Sequence, residues 1–510
     1  MVQYQTFELE FTGEEPKGSQ AVIDLTAEFV CGDMKKTVKG FYAGDGIYKV
    51  RFFPQMPGTY TWKVSGEVSG EGREECLEAK EKHGLIKAVD THFEYEDGTR
   101  YLPFGTTIYA LAHQTKELID ETMESLKNAP FNKVRHCVFP KDYEYNHNEP
   151  QFYAFEKDEA GKWDVNRPCF AFWDHLENVI ARLSVMGIQS DLILFHPYDR
   201  WGFAEFSLEE NKIYLDYLIR RLSSNPDIWW SMANEYDLVY YKDMQDWYAL
   251  EEYTAREDVY GHLLSNHNCF LFYDFHRENI THCSVQTTQL YKAAEWMQEY
   301  QKPVVYDECC YEGDLEMEWG NISAKELVSR FWRAYSVGAY ATHGETFLSE
   351  DEILWWAKGG RLKGESPKRI TFLREIMEEI PGTLVPWSPM PYQGEIQEYG
   401  NPEDNPIFKQ ASKWMRTLPK EELEKGKEKV TKYTGQSEHA FIRYFHIECN
   451  SQYHLELPED KEYKIEIIDT WEMTRSTFAE HASGKVLVKL PGKEGMAVLA
   501  VEKEKEILEV

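Results

Sequence analysis

Apolar residues recur at every second position through the first part of the chain. Tyr48, Val50 and Phe52 alternate with Lys49 and Arg51, and Tyr60, Trp62 and Val64 alternate with Thr61 and Lys63. A period of two sends successive side chains to opposite faces, so both runs predict half-buried strands. AVIDLTAEFV is a further strand segment, and Gly44-Asp45-Gly46 and Pro57-Gly58 are turn signals. Residues 1–88 are expected to form an N-terminal β-sandwich.

The pattern changes over residues 89–385. Apolar, β-rich segments now alternate with longer runs of helical spacing. The strand candidates are YLPFGTTIYAL, FNKVRHCVFP, IQSDLILFHP, IWWSMANE, VYGHLLSNHN, ITHCSVQ, PVVYDE and GAYATHGETF. Among the helical runs, ELIDETMESLKNA precedes the second strand candidate. In FWDHLENVIARLSVMG, Leu176, Val179, Ile180 and Leu183 share one helix face. Ser207 with Glu210, and Ser323 with Glu326, have capping-box spacing at a helix start. SPKRITFLREIMEEI supplies the last helix. Eight strand–helix repeats predict an α/β fold of the (β/α)8 TIM-barrel type. The rival is an open doubly wound sheet, but no G-x-G-x-x-G follows the first strand.

Residues 386–425 are rich in proline, show few periodic runs and read as a connecting segment. At its end KEELEKGKEKV, residues 420–430, is a charged, solvated piece. The strand candidates HAFIRYFHI, YHLELP, YKIEIIDTWEM, GKVLVKLPG and MAVLAVEK, with turn signals at Gly484 and Pro491-Gly492, predict a C-terminal β-sandwich over residues 426–510.

A net charge of −32 argues against nucleic-acid or anionic-membrane partners and suits a neutral substrate. The nine cysteines are scattered and form no disulfide framework. The N-terminus lacks a basic region followed by an apolar stretch, and no run of about 18 apolar residues exists. Together these predict a cytoplasmic protein without a membrane span.

In such a barrel the C-terminal strand ends line the mouth where chemistry occurs. Strand four ends in Asn234-Glu235 and strand seven in Asp307-Glu308. Two facing carboxyl groups suit cleavage of a glycosidic bond. One protonates the leaving oxygen, while the other attacks the anomeric carbon or activates water, according to their separation. The unequal roles need unequal pKa values. Asn234 can hydrogen-bond a sugar hydroxyl beside the reacting centre, and Trp229, Trp230 and Tyr306 are candidate apolar walls. Alternation places Val304, Tyr306 and Glu308 on one inward face, which favours Glu308 over Asp307. His267 and Gln286, at the ends of strands five and six, are candidate sugar contacts.

These residues resemble the clan-A glycoside hydrolases, whose barrels carry an Asn-Glu pair ending strand four and a Glu nucleophile ending strand seven. The resemblance implies Glu235 as acid/base and Glu308, in VVYDECCYEG, as nucleophile. It places Arg135, in FNKVR, near the nucleophile, and His196, in LFHP, where many members carry a sugar-contacting histidine. More narrowly, VVYDECCYEGD, THGETF, the later WWAKGG and the flanking β-domains resemble the apiosidase-like group. Where many clan members carry a tryptophan after strand eight, THGETF has His343 and Glu345. Glu345 becomes a candidate substrate contact or a partner of a neighbouring base, and Trp355 or Trp356 the candidate sugar platform.

No cofactor motif is present. His136, His196, His262, His267 and His343 show no compact metal-ligand spacing, and His262 and His267, on a strand, face opposite sides. The Cys309-Cys310 pair reads as buried, inert thiols. Serine-hydrolase and phosphate-loop signatures are missing. The expected function is a retaining glycoside hydrolase acting on plant-type, imported oligosaccharides. The alternative is a non-catalytic carbohydrate-binding barrel. The expected partner is the oligosaccharide substrate, and a homo-oligomer is allowed.

Overall fold

All eight barrel-strand segments become strands in the computed structural model, which describes residues 1–387 and 433–503 and three single positions between them. In chain order they are Gly105–Thr107, Lys133–Cys137, Gln189–Phe195, Ile228–Ala233, Leu264–Ser265, Cys283–Gln286, Val304–Glu308 and Tyr340–His343. They pair in parallel in the order 5-4-3-2-1-8-7-6. The fifth strand is only two residues long. Side chains bridge the remaining seam between strands five and six. Ser265 Oγ donates to His282 O at 2.6 Å, and Asn268 Oδ1 accepts from Gln286 N at 3.1 Å.

The helices follow the apolar stripes. Leu176, Val179, Ile180 and Leu183 are buried on the helix Phe170–Val185. Ser207 and Glu210 form the expected capping box of Leu208–Leu222, and Ser323 accepts from Glu326 N at 3.2 Å at the start of Ala324–Tyr335. Such caps satisfy N–H groups that the first helical turn leaves unpaired.

Two antiparallel sheets form the N-terminal sandwich, one of three strands and one of four, and a further three-stranded sheet over residues 86–101 leads into the barrel. The alternating residues face inward between the first two, and the rings of Phe29 and Phe52 stack at 4.0 Å. Asp45, with φ 51°, lies between Gly44 and Gly46, both also left-handed, as the turn signal requires. Buried Arg220, on a barrel helix, donates to Ile23 O and Gly40 O at 2.9 Å each, which ties the barrel to this β-layer. Barrel and N-terminal sheets belong to one compact unit, residues 1–288, 295–331 and 339–374.

The second unit contains residues 375–510 with two short earlier segments. Its main sheet has six strands and faces a two-stranded ribbon across a core that includes Phe445, Tyr463, Ile465, Val488 and Val498. Every strand expected there forms. Three more form, the short Val385–Pro386 and Tyr433–Gln436 and the longer Thr474–Ala482, which polar TRSTFAEHA does not signal; its register with Tyr463–Asp469 holds it. The connecting segment and KEELEKGKEKV lie, from residue 388 onward, outside the described residues apart from those three positions.

Candidate active site

Below the mouth, four charges close on one another. Lys133 Nζ donates to Asp191 at 2.7 Å and to Asp307 at 2.6 Å, and Arg135 lies 3.2 Å from each of the same two carboxylates. Ser284 and Thr342 donate to Asp307 at 2.5 and 2.8 Å. Two cations thus balance two anions in a fully buried set. Despite burial, the charges of Arg135 and Lys133 hold the Asp307 carboxyl well below the usual carboxylate range. A depressed carboxyl stabilises the fold above its unfolded value of about 3.9, and that stability is lost only as pH falls toward the folded value. Lys133→Met is expected to cost about 3–5 kcal/mol in chemical denaturation, because it leaves buried carboxylates short of a partner. A loss below about 1 kcal/mol would show that the cluster is not needed for stability.

This cluster corrects the alternation argument. Asp307 is the residue that points into the barrel. Tyr306 points outward, with its ring 6.0 Å from that of Trp296. Glu308 nevertheless reaches the mouth because the pairing of strands six and seven slips, so that Val285 opposes Tyr306 but Gln286 opposes Glu308. The extra residue is a bulge, which re-aims the side chain that follows it.

Glu235 is turned into the mouth by its backbone, with φ 55° and ψ 57°. A non-glycine residue in this left-handed region carries strain that the surroundings must hold. Here Tyr236 N donates to His267 O at 2.9 Å, and Asn234 N to Phe195 O at 2.9 Å. From its position the Glu235 carboxylate accepts from Asn234 Nδ2 at 3.1 Å and from the Tyr198 hydroxyl. Asn234 Oδ1 in turn accepts from Arg135 at 3.3 Å.

Glu308 accepts from the Tyr109 hydroxyl, which lies 3.2 Å from that of Tyr311. Gln286 joins the two carboxylates. With its amide nitrogen facing its acceptors, it is 3.2 Å from Glu235 Oε1, 3.2 Å from Glu308 Oε2 and 3.0 Å from Asn268 O. The two carboxylate oxygens therefore lie within twice 3.2 Å of one another. Burial, and then the charge of Glu235, push Glu308 up to about 7, against the Tyr109 hydrogen bond and the charges of Lys141 and Arg135.

Arg135, Asn234, Glu235, Gln286 and Glu308 are thus brought into one hydrogen-bonded group. The other candidates stand elsewhere. His196 Nε2 contacts Phe139 O at 3.2 Å, and burial holds its ring down to about 3. His267 is fully buried beyond the end of strand five, so alternation along that strand does not place it. Neither of its ring nitrogens has a partner among the described residues. Trp355 is buried and donates to Thr106 Oγ1 at 2.8 Å, beneath the site rather than at it. Trp356 lies among the aromatics of the mouth, its ring 5.0 Å from that of Trp319 and 5.9 Å from that of Tyr143. Glu345 accepts from Lys363 N at 2.5 Å and Gly364 N at 2.9 Å, so its role is to anchor a loop.

Trp229 and Trp230 are not walls of the site either. Trp229 packs on Phe93 and His282, and Trp230 donates to Asp258 at 3.0 Å. The walls come from Tyr109, Tyr143, Tyr198 and Tyr311, a few residues past strand ends, and from Trp319 and Trp356 farther along the chain. Gly344 lets Tyr311 close in, since a Cβ there would meet the ring at 2.3 Å. Reading the two to six residues after each strand, such as KDYEY and HPYD, would have found several of these aromatics.

Among the described residues, Glu312, His343 and Glu345 are the group whose spacing could hold a metal, with ligand atoms within 4.8 Å. Both carboxylates already accept two backbone N–H groups each, Glu312 from Glu365 and Ser366, Glu345 from Lys363 and Gly364. They therefore serve as caps on the approach to the helix Ser366–Glu379. Among the described residues no helix is long and apolar enough to cross a membrane.

A family profile described as an apiosidase-like catalytic domain matches residues 88–383. Profiles of two domains of unknown function, DUF5060 and DUF5605, match residues 1–67 and 430–500. The crystal structure of a proposed glycoside hydrolase from Bacteroides vulgatus is 33% identical, with a TM-score of 0.85 over 98% of this chain and 99% of its own. A family 5 glycoside hydrolase from the same organism is 14% identical, with a TM-score of 0.61 over 82% of this chain and 93% of its own. That second likeness is one of fold. No curated protein matches the chain.

Proposed function

The chain belongs to the apiosidase-like family and is a glycoside hydrolase, and we propose that it cleaves plant-type oligosaccharides with retention through Glu235 and Glu308. The observation that carries this reading is the Gln286 amide, 3.2 Å from an oxygen of each carboxylate. So close a pair suits a retaining enzyme, with carboxyl groups about 5–5.5 Å apart, better than an inverting one that must fit a water between them.

In the first step Glu308 attacks the anomeric carbon and forms a glycosyl ester, while Glu235 protonates the departing oxygen. In the second, Glu235 takes a proton from water, the water oxygen attacks the anomeric carbon, and the Glu308 carboxylate leaves. The first step starts with one proton on the pair, carried by Glu235, and the second starts with Glu235 ionised and Glu308 esterified. The raised Glu308 means that the two carboxyls hold that proton up to about neutral pH. The Tyr109 hydrogen bond and the charges of Lys141 and Arg135 favour the anion on Glu308, the form that attacks. Asn234, held by Arg135, is set beside Glu235 to meet a sugar hydroxyl. Tyr143, Tyr198, Trp319 and Trp356 offer apolar faces to sugar rings. The nine free cysteines are in keeping with a reducing, cytoplasmic setting and imported oligosaccharides.

A screen of aryl glycosides and plant oligosaccharides, with the product anomer followed by NMR, tests the proposal. The expected first product keeps the anomeric configuration of the substrate. Initial release of the opposite anomer would refute retention, and the absence of any hydrolysis would refute the substrate class.

A further inference from the structure

The two-glutamate reading leaves one charged side chain in the mouth without a role. Lys141 follows barrel strand two and is 4% exposed. Its Nζ lies 4.0 Å from the ring centroid of Tyr109, 4.2 Å from Tyr198, 4.9 Å from Trp356 and 5.5 Å from Tyr143. Among the described residues no carboxylate comes within the 4.0 Å of an ion pair. An ammonium taken out of water without such a partner is costly, and proteins avoid it unless something is gained.

The rings beneath it are particular ones. Tyr109 donates to Glu308, and Tyr198 donates to Glu235. A cation over a phenol ring is attracted to its π-face and draws electron density from it, which makes the hydroxyl a stronger donor. One ammonium therefore acts on both carboxylates through the tyrosine that holds each, and on both directly through its charge.

We propose that Lys141 is a positioning residue of the active site: its ammonium, caged over Tyr109 and Tyr198, is the counter-charge that keeps one of the two glutamates ionised. This rests on the two-glutamate reading above.

Among the described cations near the mouth, Lys141 is the one without a carboxylate partner of its own. Arg135 and Lys133 are matched by Asp191 and Asp307. The remaining titratable groups around Lys141 are neutral near pH 7. Burial pushes the Cys137 thiol up to about 12, His196 down to about 3 and His267 well below its ordinary value. Burial also raises the phenols of Tyr109, Tyr143 and Tyr198. Against a pair of carboxyls that share one proton, a single ammonium brings the mouth to neutrality.

The test compares Lys141→Met, Lys141→Gln and Lys141→Arg with the native enzyme. The first reading is the pH dependence of kcat/KM on an aryl glycoside. Loss of the positive charge makes an ionised carboxylate harder to form, so the acid limb should move to higher pH in the Met and Gln variants, by about one unit. Arg keeps the charge and should keep the limb in place. The second reading is labelling of Glu308 by a carbodiimide, which the protonated carboxyl adds to, followed by peptide mass spectrometry across the same pH range. The labelling midpoint should move in the same direction. If no glycoside is hydrolysed, the glycosidase reading falls, while the labelling still decides the role of Lys141. Whichever neutral variant folds, a uniform drop in rate with limb and labelling midpoint unmoved would overturn the proposal and leave Lys141 as packing alone. An Arg variant displaced like the neutral ones would overturn it too.

Discussion

Glu308→Ala should lower turnover of an aryl glycoside by on the order of 10⁴-fold or more, and azide should restore part of it. The carboxylate is the atom pair that would bond to the anomeric carbon, and no neighbouring group can replace it. Asp307 is adjacent in sequence, but it points down into the barrel and is held by Lys133, Ser284 and Thr342. Removing the side chain opens room beside Tyr109 for a small anion. Azide attacking from that side, with Glu235 still protonating the leaving oxygen, gives a glycosyl azide of inverted configuration. The thermal midpoint should hold or rise, since burial and Glu235 already disfavour the ionised Glu308. Full activity in this variant would remove Glu308 from the mechanism. A collapse of thermal stability alongside the lost activity would reassign Glu308 to structure.

The second large effect belongs to Glu235→Gln. Loss of the general acid should cost about 10²–10⁴-fold on oligosaccharides, whose leaving alcohols need a proton. Dinitrophenyl glycosides, which leave without one, should lose far less in the first step. The pH profile should change in a definite direction. The charge of Glu235 is one cause of the raised value of about 7 on Glu308, second to burial. Removing a like charge favours the anion, so the value falls and the acid limb on the activated substrate moves to lower pH. An acid limb that stays in place would mean that the two carboxyls do not feel each other. Equal losses on good and poor leaving groups would mean that Glu235 is not the acid.

Much of the fold was legible because barrel strands and their helices differ in period and in length. Apolar β-rich runs bounded by capping signals such as Ser207 with Glu210 mark each repeat locally. The strand Thr474–Ala482 was not legible, since it holds its place through pairing rather than through apolar content. In the site, Asn234, Glu235, Gln286 and Glu308 could be found because they end strands, and strand ends of a barrel converge. Tyr306 was misplaced because alternation assumes a regular strand, and the bulge breaks that regularity. Trp229 and Trp230 drew notice as an aromatic pair, yet they sit early in strand four, away from its end at Ala233.

By itself the sequence determined the alternation of strands and helices, the acidic strand ends and hence the class of chemistry, because each rests on spacing within a few residues. Only the tertiary structure decided which of Asp307 and Glu308 faces the mouth, that Gln286 touches both carboxylates, and that Lys141 is caged by rings from separate loops. Those facts depend on a register slip and on contacts between side chains up to about 200 residues apart, such as Tyr109 with Glu308. No local pattern encodes them, since packing and hydrogen bonding across the closed barrel settle them together.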